Sequence, residues 1–320
     1  MNAAVLHALG KPPRFEQFPE PIAGEGEVIV QVRAASLKPV DKQMASGSHY
    51  ASPRELPVVC GVDGVGLLDG GARVFFGGPR RPYGAMAERT VVPRARCFPI
   101  PDGVDDVTAA ALPNPGVSAW LSLTWCAKLA PGETVLILGA TGTTGKLAVK
   151  IAKLLGARRV VAAGRNEQAL RTLQDLGADA VIRLDEPGQD LTIAYAREAG
   201  ATGFHVIIDY LWGRPTEALL AALTRSDFAA AATEARLVQV GESAGPTISL
   251  SAAVLRSIPL RILGTGGLPP GDILADAFQQ VMARAASGEL RIDTERVPLT
   301  EIEDAWQRQD PHRPRLVIIP

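Results

Sequence analysis

The sequence predicts an α/β protein of two domains, one rich in β-strands and one built on a doubly wound parallel sheet. Its 320 residues are enough for about two domains at roughly 150 residues each. The first third alternates apolar and polar residues between many prolines and glycines, a pattern typical of short antiparallel strands. From residue 134 onward, short apolar segments alternate with helical patterns, which indicates a parallel sheet covered on both faces.

The β-rich part contains one long predicted strand at 27–36, in which Val28, Val30 and Val32 share one face. Shorter strands are predicted at 73–76 and 87–92. Many short strands with turns between them favour a small barrel or sandwich.

The pattern changes after Leu112-Pro113-Asn114-Pro115-Gly116, and a helix is predicted at 118–129. Alternating strands and helices then follow. The strands are predicted at 134–138, 160–163, 180–182, 206–209, 237–240 and 262–263, with helices at 143–155, 167–176 and 272–287. We expect the parallel-sheet domain to span 116–265, and the β-rich domain to span 1–115 and be completed by 266–320.

Composition excludes several classes of protein. Lys and Arg number 33 against 34 Asp and Glu, a net charge of −1, which argues against a nucleic-acid or membrane-surface binder. Three scattered cysteines are too few for a disulfide framework. We find no leader-like N-terminus and no apolar run long enough to span a membrane, so we expect a cytoplasmic protein.

A glycine-rich turn lies between the strand at 134–138 and the helix that follows it. Its sequence is Gly139-Ala140-Thr141-Gly142-Thr143-Thr144-Gly145. In this context, glycines allow a sharp turn, a close approach to a pyrophosphate and close helix packing, while the positive helix end faces the phosphates. Since the spacing is G-x-x-G-x-x-G, the motif depends on its context, and the alternative is an ordinary strand–helix turn.

The second strand of this domain ends in Gly164, Arg165 and Asn166. NAD sites place a carboxylate about 20 residues after the glycine turn, whereas Arg165 stands there. A guanidinium suits a phosphate, so we predict that these three residues contact NADP(H). The alternative for Arg165 is a solvated surface position, and Arg183 is a second candidate for the 2′-phosphate.

Three segments carry a resemblance to a known family. They are residues 131–145, Leu176-Gly177-Ala178-Asp179 and Leu37-Lys38-Pro39-Val40-Asp41. With the order of the two domains, they make the whole chain resemble the medium-chain dehydrogenase/reductase superfamily, specifically its zinc-free quinone oxidoreductase branch. The resemblance implies a GroES-like β-rich catalytic domain, a Rossmann-type domain, and an active site in the cleft between them.

The resemblance also implies that no metal is bound. Zinc-dependent members carry a Cys where this chain has Lys38, and a Gly-His-Glu where it has Gly61-Val62-Asp63. Their third ligand falls near 114–116, where no Cys occurs. Lys and Val cannot build a tetrahedral N/S zinc site.

Lys38 and Tyr50 are the catalytic candidates. Relatives usually have an Asn close to the nicotinamide in place of Lys38, which here brings a positive charge or, if desolvated, a lowered pKa. It would polarise a carbonyl or supply a proton, and the alternative is an ammonium that reaches solvent. Tyr50 matches a loop bordering the substrate cleft. Either it or His49 would protonate the product oxygen, and the alternative is aromatic packing.

Four further residues lie at the carboxyl ends of later strands, where cofactors bind in doubly wound sheets. Tyr210 is predicted to wall the nicotinamide, the alternative being simple packing. The resemblance places Gly241, Gly264 and Thr265 near the nicotinamide ribose and amide.

We therefore expect an enzyme that transfers a hydride from NADPH to a quinone, an enone or another activated carbonyl without zinc. Two alternatives remain open: a zinc-free alcohol or aldehyde oxidoreductase, and an NADPH-binding sensor or structural protein without turnover. The expected partner is a small-molecule substrate, with no nucleic acid and no membrane. The resemblance implies a homodimer formed through an edge strand of the Rossmann sheet.

Overall fold

The computed structural model describes residues 1–186, 188, 190–224, 234–267, 269–308 and 314–320. In chain order the strands are β1 (Asn2–Leu6), β2 (Arg14–Gln17), β3 (Glu27–Ser36), β4 (Val58–Val59), β5 (Asp63–Leu68), β6 (Arg73–Gly77), β7 (Arg89–Pro93), β8 (Cys97–Pro99), β9 (Thr134–Leu138), β10 (Arg159–Gly164), β11 (Ala180–Arg183), β12 (Val206–Asp209), β13 (Ala235–Gln239), β14 (Leu260–Gly264), β15 (Thr294–Pro298) and β16 (Arg315–Ile319). The helices are α1 (Pro39–Ser46), α2 (Asp106–Ala111), α3 (Pro113–Leu121), α4 (Thr143–Leu154), α5 (Glu167–Asp175), α6 (Leu191–Ala199), α7 (Gly213–Leu223), α8 (Ala252–Ser257), α9 (Gly271–Ala286) and α10 (Ile302–Gln307). None of these helices is long and apolar enough to cross a bilayer.

The chain divides into two compact units. Unit 1 comprises Met1–Asn114 and Phe278–Pro320, and unit 2 comprises Pro115–Ala277. The first boundary lies beside the one expected from the sequence. The second lies inside α9, further along the chain than the expected start at 266.

Unit 1 is built on two sheets. The smaller one has the antiparallel order β2-β1-β4, and the larger one follows β15-β16-β3-β5-β6-β8 with β7 also paired to β3. The predicted strand at 27–36 is confirmed as β3, which pairs antiparallel with β5, β7 and β16. Val30 and Val32 of β3 lie in the core with Phe76 and Ile318, as expected from alternation.

Unit 2 contains one six-stranded sheet of order β11-β10-β9-β12-β13-β14, in which every neighbouring pair is parallel. Counted within the unit this is strand order 3-2-1-4-5-6, that of a doubly wound dinucleotide-binding sheet. β9 is buried along its whole length, because helices cover both faces of such a sheet. The predicted α/β fold class is therefore confirmed.

One expectation about the helices is wrong. The helix is predicted to begin at 118, yet residues 113–116 already form the first turn of α3 (Pro113–Leu121). Proline is tolerated there, since the first helical N–H groups have no intrahelical acceptor. The π-helical segment Ser122–Cys126 follows directly, and α2 precedes α3 with only Leu112 between them.

Candidate functional site

The glycine-rich turn follows the end of β9 directly. Gly139 has φ +82, and a Cβ there would lie 3.0 Å from the Leu211 side chain. The backbone N–H groups of Gly139 and Ala140 both donate to the carbonyl of Ala163 in β10, at 2.9 Å each. The turn is therefore hydrogen-bonded to the neighbouring strand, and position 139 accepts only glycine.

Gly145 brings α4 onto this turn. A Cβ at Gly145 would overlap the carbonyl oxygen of Gly139 and lie 2.6 Å from the Cα of Ala140. At Gly142, by contrast, the nearest atom to a Cβ is the Gly139 oxygen at 3.5 Å, an ordinary contact. The last glycine of the motif thus allows close packing of α4, as predicted. A side chain at Gly142, by contrast, would not clash with the protein.

The N-terminus of α4 carries no side-chain cap. Its N-cap is Gly142, in extended conformation, and the first helical hydrogen bond runs from Lys146 N–H to the Gly142 carbonyl at 2.9 Å. The helices α5 and α6 are instead capped by Asn166 and Asp190. First-turn N–H groups without a side-chain acceptor, at a helix of 12 residues, are donors of the kind that bind phosphate groups.

The end of β10 approaches the same turn. A Cβ at Gly164 would lie 2.5 Å from the Thr141 side chain, so only glycine allows this approach. The Asn166 carboxamide accepts from the Ala169 N–H at 2.8 Å, which makes it a helix cap; its contact with cofactor stays a prediction.

The two candidate arginines differ in their surroundings. Arg165 is exposed and forms no ion pair with any residue that the structure describes. Arg183 pairs with Gly164 in register, but its guanidinium contacts Asp185 at 3.1 Å and Glu167 at 3.2 Å. Of these two arginines, only Arg165 therefore presents a positive charge that no described carboxylate neutralises.

A buried carboxylate organises the end of β12. Asp209 is fully buried; one oxygen accepts from the N–H groups of Leu211 (2.8 Å) and Trp212 (2.9 Å), and the other from the Thr216 hydroxyl (2.6 Å). Burial raises the pKa of Asp209, although these hydrogen bonds oppose the shift. Trp212 has φ +56, a strained conformation that these bonds hold. Asp209 was not predicted as a site residue; its one signal in the sequence is a carboxylate at the end of an apolar strand.

Tyr210 follows this carboxylate. Its hydroxyl is buried and has no hydrogen-bond partner within the described part of the chain, and burial raises its pKa. A Cβ at Gly241 would lie 2.9 Å from the Tyr210 carbonyl oxygen, so the two segments pack closely. Gly264 ends β14, and the Thr265 hydroxyl donates to the Gln239 carbonyl at 3.3 Å. The predicted nicotinamide residues thus lie at the carboxyl ends of β12, β13 and β14.

In unit 1, Lys38 is the N-cap residue of α1 and is only 2% exposed. Its ammonium donates to the Ser36 carbonyl at 2.9 Å and to the Asp63 carboxylate at 2.8 Å, and lies 3.4 Å from the Asp41 carboxylate. Burial lowers the pKa of Lys38, but the attraction of Asp41 and Asp63 more than offsets it, so the pKa is raised. The hypotheses of a lowered pKa and of an ammonium in solvent are both wrong, because two carboxylates surround this charge.

Tyr50 lies in the loop that follows α1. Its residue is 97% exposed, and its ring lies on that of His49 with centroids 4.2 Å apart. Gly47, at the C-cap of α1 with φ +84, turns the chain into this loop. The phenol is therefore accessible to a small molecule.

The positions that hold zinc in zinc-dependent members of the superfamily do not fit zinc here. The Lys38 ammonium is itself a cation, Val62 is apolar, and the Asn114 amide donates to Asp63 at 3.3 Å. Within the described ranges, no group of three His, Cys, Asp or Glu side chains is arranged to hold a metal ion. A tetrahedral zinc site requires thiolate, imidazole or carboxylate ligands, which these three positions do not supply.

Comparison with known proteins agrees with this architecture. The family model described as "Zinc-binding dehydrogenase" matches residues 143–286. A probable NADPH-dependent quinone reductase of Emericella nidulans is 24% identical over 362 residues, covering 100% of both chains. An NAD-dependent alcohol dehydrogenase of Sulfolobus acidocaldarius is 26% identical over 344 residues, covering 95% of each.

A solved structure extends the likeness to three dimensions. The quinone oxidoreductase of Thermus thermophilus, whose structures include a complex with NADPH, is 29% identical and superimposes with a TM-score of 0.82 over 100% of both chains. The strand order of unit 2, the glycine-rich turn and these full-length matches agree. Over its full length the chain is similar to members of the quinone oxidoreductase branch of the medium-chain dehydrogenase/reductase superfamily.

Proposed function

We propose that this chain reduces a quinone, an enone or another activated carbonyl with a hydride from NADPH, and that it does so without zinc. The chain is an NADP(H)-dependent oxidoreductase. The observation that carries the proposal is the uncapped N-terminus of α4 together with the unneutralised Arg165 at the end of β10. A diphosphate and a 2′-phosphate are the groups that these two features suit.

The assignment of residues to each part of the cofactor is part of the proposal. We assign the diphosphate to the backbone of the turn 139–145, and the 2′-phosphate to Arg165 with Gly164 and Asn166 beside it. We assign Tyr210, Gly241, Gly264 and Thr265 to the nicotinamide end. The buried Tyr210 hydroxyl has no hydrogen-bond partner among the residues that the structure describes. NADPH, when bound, supplies the hydride; these residues orient it.

Hydride addition to a quinone or an enone leaves an oxyanion that must be protonated. We assign the proton to the Tyr50 phenol, which is exposed and belongs to a class of side chain that acts as a general acid. We do not assign the proton to the Lys38 ammonium, because it is buried and its N–H groups donate to protein oxygens.

A substrate panel tests the proposal. Purified protein is expected to oxidise NADPH with small quinones and with enones, and to do so faster than it oxidises alcohols with NADP⁺, while metal analysis finds less than stoichiometric zinc. Cofactor absorbance at 340 nm gives the rates. Turnover of alcohols alone would favour the second activity, which one relative's name suggests. NADPH binding without oxidation across the panel would contradict both and favour a sensor.

We further propose a homodimer through β14. This strand pairs with β13 on one side and with no described strand on the other, and Leu255 and Ile262 near it are 51% and 38% exposed. Unpaired edges beside apolar side chains favour strand addition. Sedimentation is expected to show a dimer that Ile262→Asp dissociates, while Ile193→Asp, at an exposed position of α6, leaves it intact. A monomeric parent protein would contradict the proposal.

A further inference from the structure

Ser36, Lys38, Asp41 and Asp63 form a polar cluster in unit 1 to which the proposed binding of NADP(H) assigns no role. Four oxygen atoms surround the ammonium: the Ser36 carbonyl at 2.9 Å, the Ser36 hydroxyl at 3.3 Å, Asp63 at 2.8 Å and Asp41 at 3.4 Å. Two carboxylates, one carbonyl and one hydroxyl form a donor set that hard cations prefer. The ammonium thus occupies a small oxygen-lined cation site.

The carboxylates are held in place independently of the ammonium. Asp41 accepts from the backbone N–H groups of Lys38 at 2.8 Å and Val62 at 3.1 Å. Asp63 accepts from the Asn114 amide at 3.3 Å. Because these bonds involve backbone or a different side chain, none of them depends on the Lys38 ammonium.

Two buried carboxylates need a cation. The side chains of Asp41 and Asp63 are 0% and 7% exposed, and burying uncompensated charge is costly. Arg315 also attracts both carboxylates, but its guanidinium donates to the Leu37 carbonyl at 3.1 Å. Direct compensation therefore comes from Lys38.

We propose that Lys38 is a tethered cation that fills this built, oxygen-lined site. By pairing with Asp41 and Asp63, Lys38 keeps the two carboxylates together and fixes the N-terminus of α1. The C-terminus of α1 leads into the loop that contains Tyr50. The proposal rests on unit 1 alone and is independent of the substrate.

Chemical rescue tests it. In the full chain, Lys38→Ala is expected to lower Tm by about 10 °C, since a broken buried ion pair leaves uncompensated charge. Propylammonium, which replaces the lost atoms, is expected to recover most of that loss, whereas tetramethylammonium at equal ionic strength does not. One Mn²⁺ ion per chain is expected to bind Lys38→Ala, whereas none is expected to bind the parent protein. Electron paramagnetic resonance measures this binding.

Lys42→Ala is the matched control. It removes a neighbouring ammonium that, within the described residues, donates to the Arg308 carbonyl and to no carboxylate, so neither cation is expected to raise its Tm. If neither propylammonium nor Mn²⁺ raises the Tm of Lys38→Ala, the proposal is overturned. Where the variant does not fold unaided, the proposal is overturned if neither cation restores its refolding. A second comparison is independent of rescue: Lys38→Met with Asp63→Asn must be more stable than Lys38→Met alone, and equal or lower stability also overturns it.

Discussion

Replacing Gly145 with alanine is expected to weaken NADPH binding on the order of 100-fold, equivalent to about 3 kcal/mol, and to lower the free energy of unfolding by about 1–3 kcal/mol. The added Cβ would overlap the Gly139 carbonyl and lie 2.6 Å from the Ala140 Cα. Neither atom belongs to a flexible side chain, so α4 must move away from the turn. Its first-turn N–H groups then leave the place where they hold the diphosphate. NADPH fluorescence titration and urea unfolding measure the two effects.

Gly142→Ala is the matched control for this substitution. Gly142 has φ −75, and its Cβ would meet only one atom, at 3.5 Å, so the same methyl group is expected to leave the free energy of unfolding nearly unchanged. Equal unfolding free energies for the two variants would contradict the packing role of Gly145. Any loss of NADPH affinity in Gly142→Ala would come from the methyl group facing the diphosphate.

Arg165→Glu is expected to weaken NADPH binding by about 100-fold, because a charge-assisted phosphate contact is lost and a like charge replaces it. NADH binding is expected to change little, since NADH has a 2′-hydroxyl instead of the phosphate. Calorimetric titration with both nucleotides gives the ratio of the two dissociation constants, which is the decisive quantity.

Arg183→Glu provides the same charge change one strand away. Its parent guanidinium already contacts Glu167 and Asp185, so we expect a much smaller loss of NADPH affinity than in Arg165→Glu. Equal weakening of NADPH and NADH by Arg165→Glu would remove the assignment of the 2′-phosphate. A larger effect at Arg183 would transfer the assignment to that residue.

The sequence predicts the doubly wound sheet of unit 2 well because its signals are local. The apolar strand at 134–138 and the predicted helix start at Thr143 match β9 and α4, since a strand, a glycine turn and a helix start each need a short run of residues. The helix start predicted at 118 is too late for a physical reason: proline disrupts the interior of a helix, whereas Pro113 and Pro115 lie in the first turn of α3.

By itself, the sequence determined the α/β class, the glycine turn and an arginine where NAD sites carry a carboxylate, because these depend on periodicity and on short spacings along the chain. Only the tertiary structure decided the charge state of Lys38, since its partner Asp63 is 25 positions away and reaches it from another strand. The tertiary structure also decided that carboxylates neutralise Arg183 but not Arg165. It likewise decided that Asp209 holds the backbone at the end of β12. Each depends on which charges and donors are brought within a few ångströms, and electrostatic energy follows distance in space and burial rather than distance along the chain.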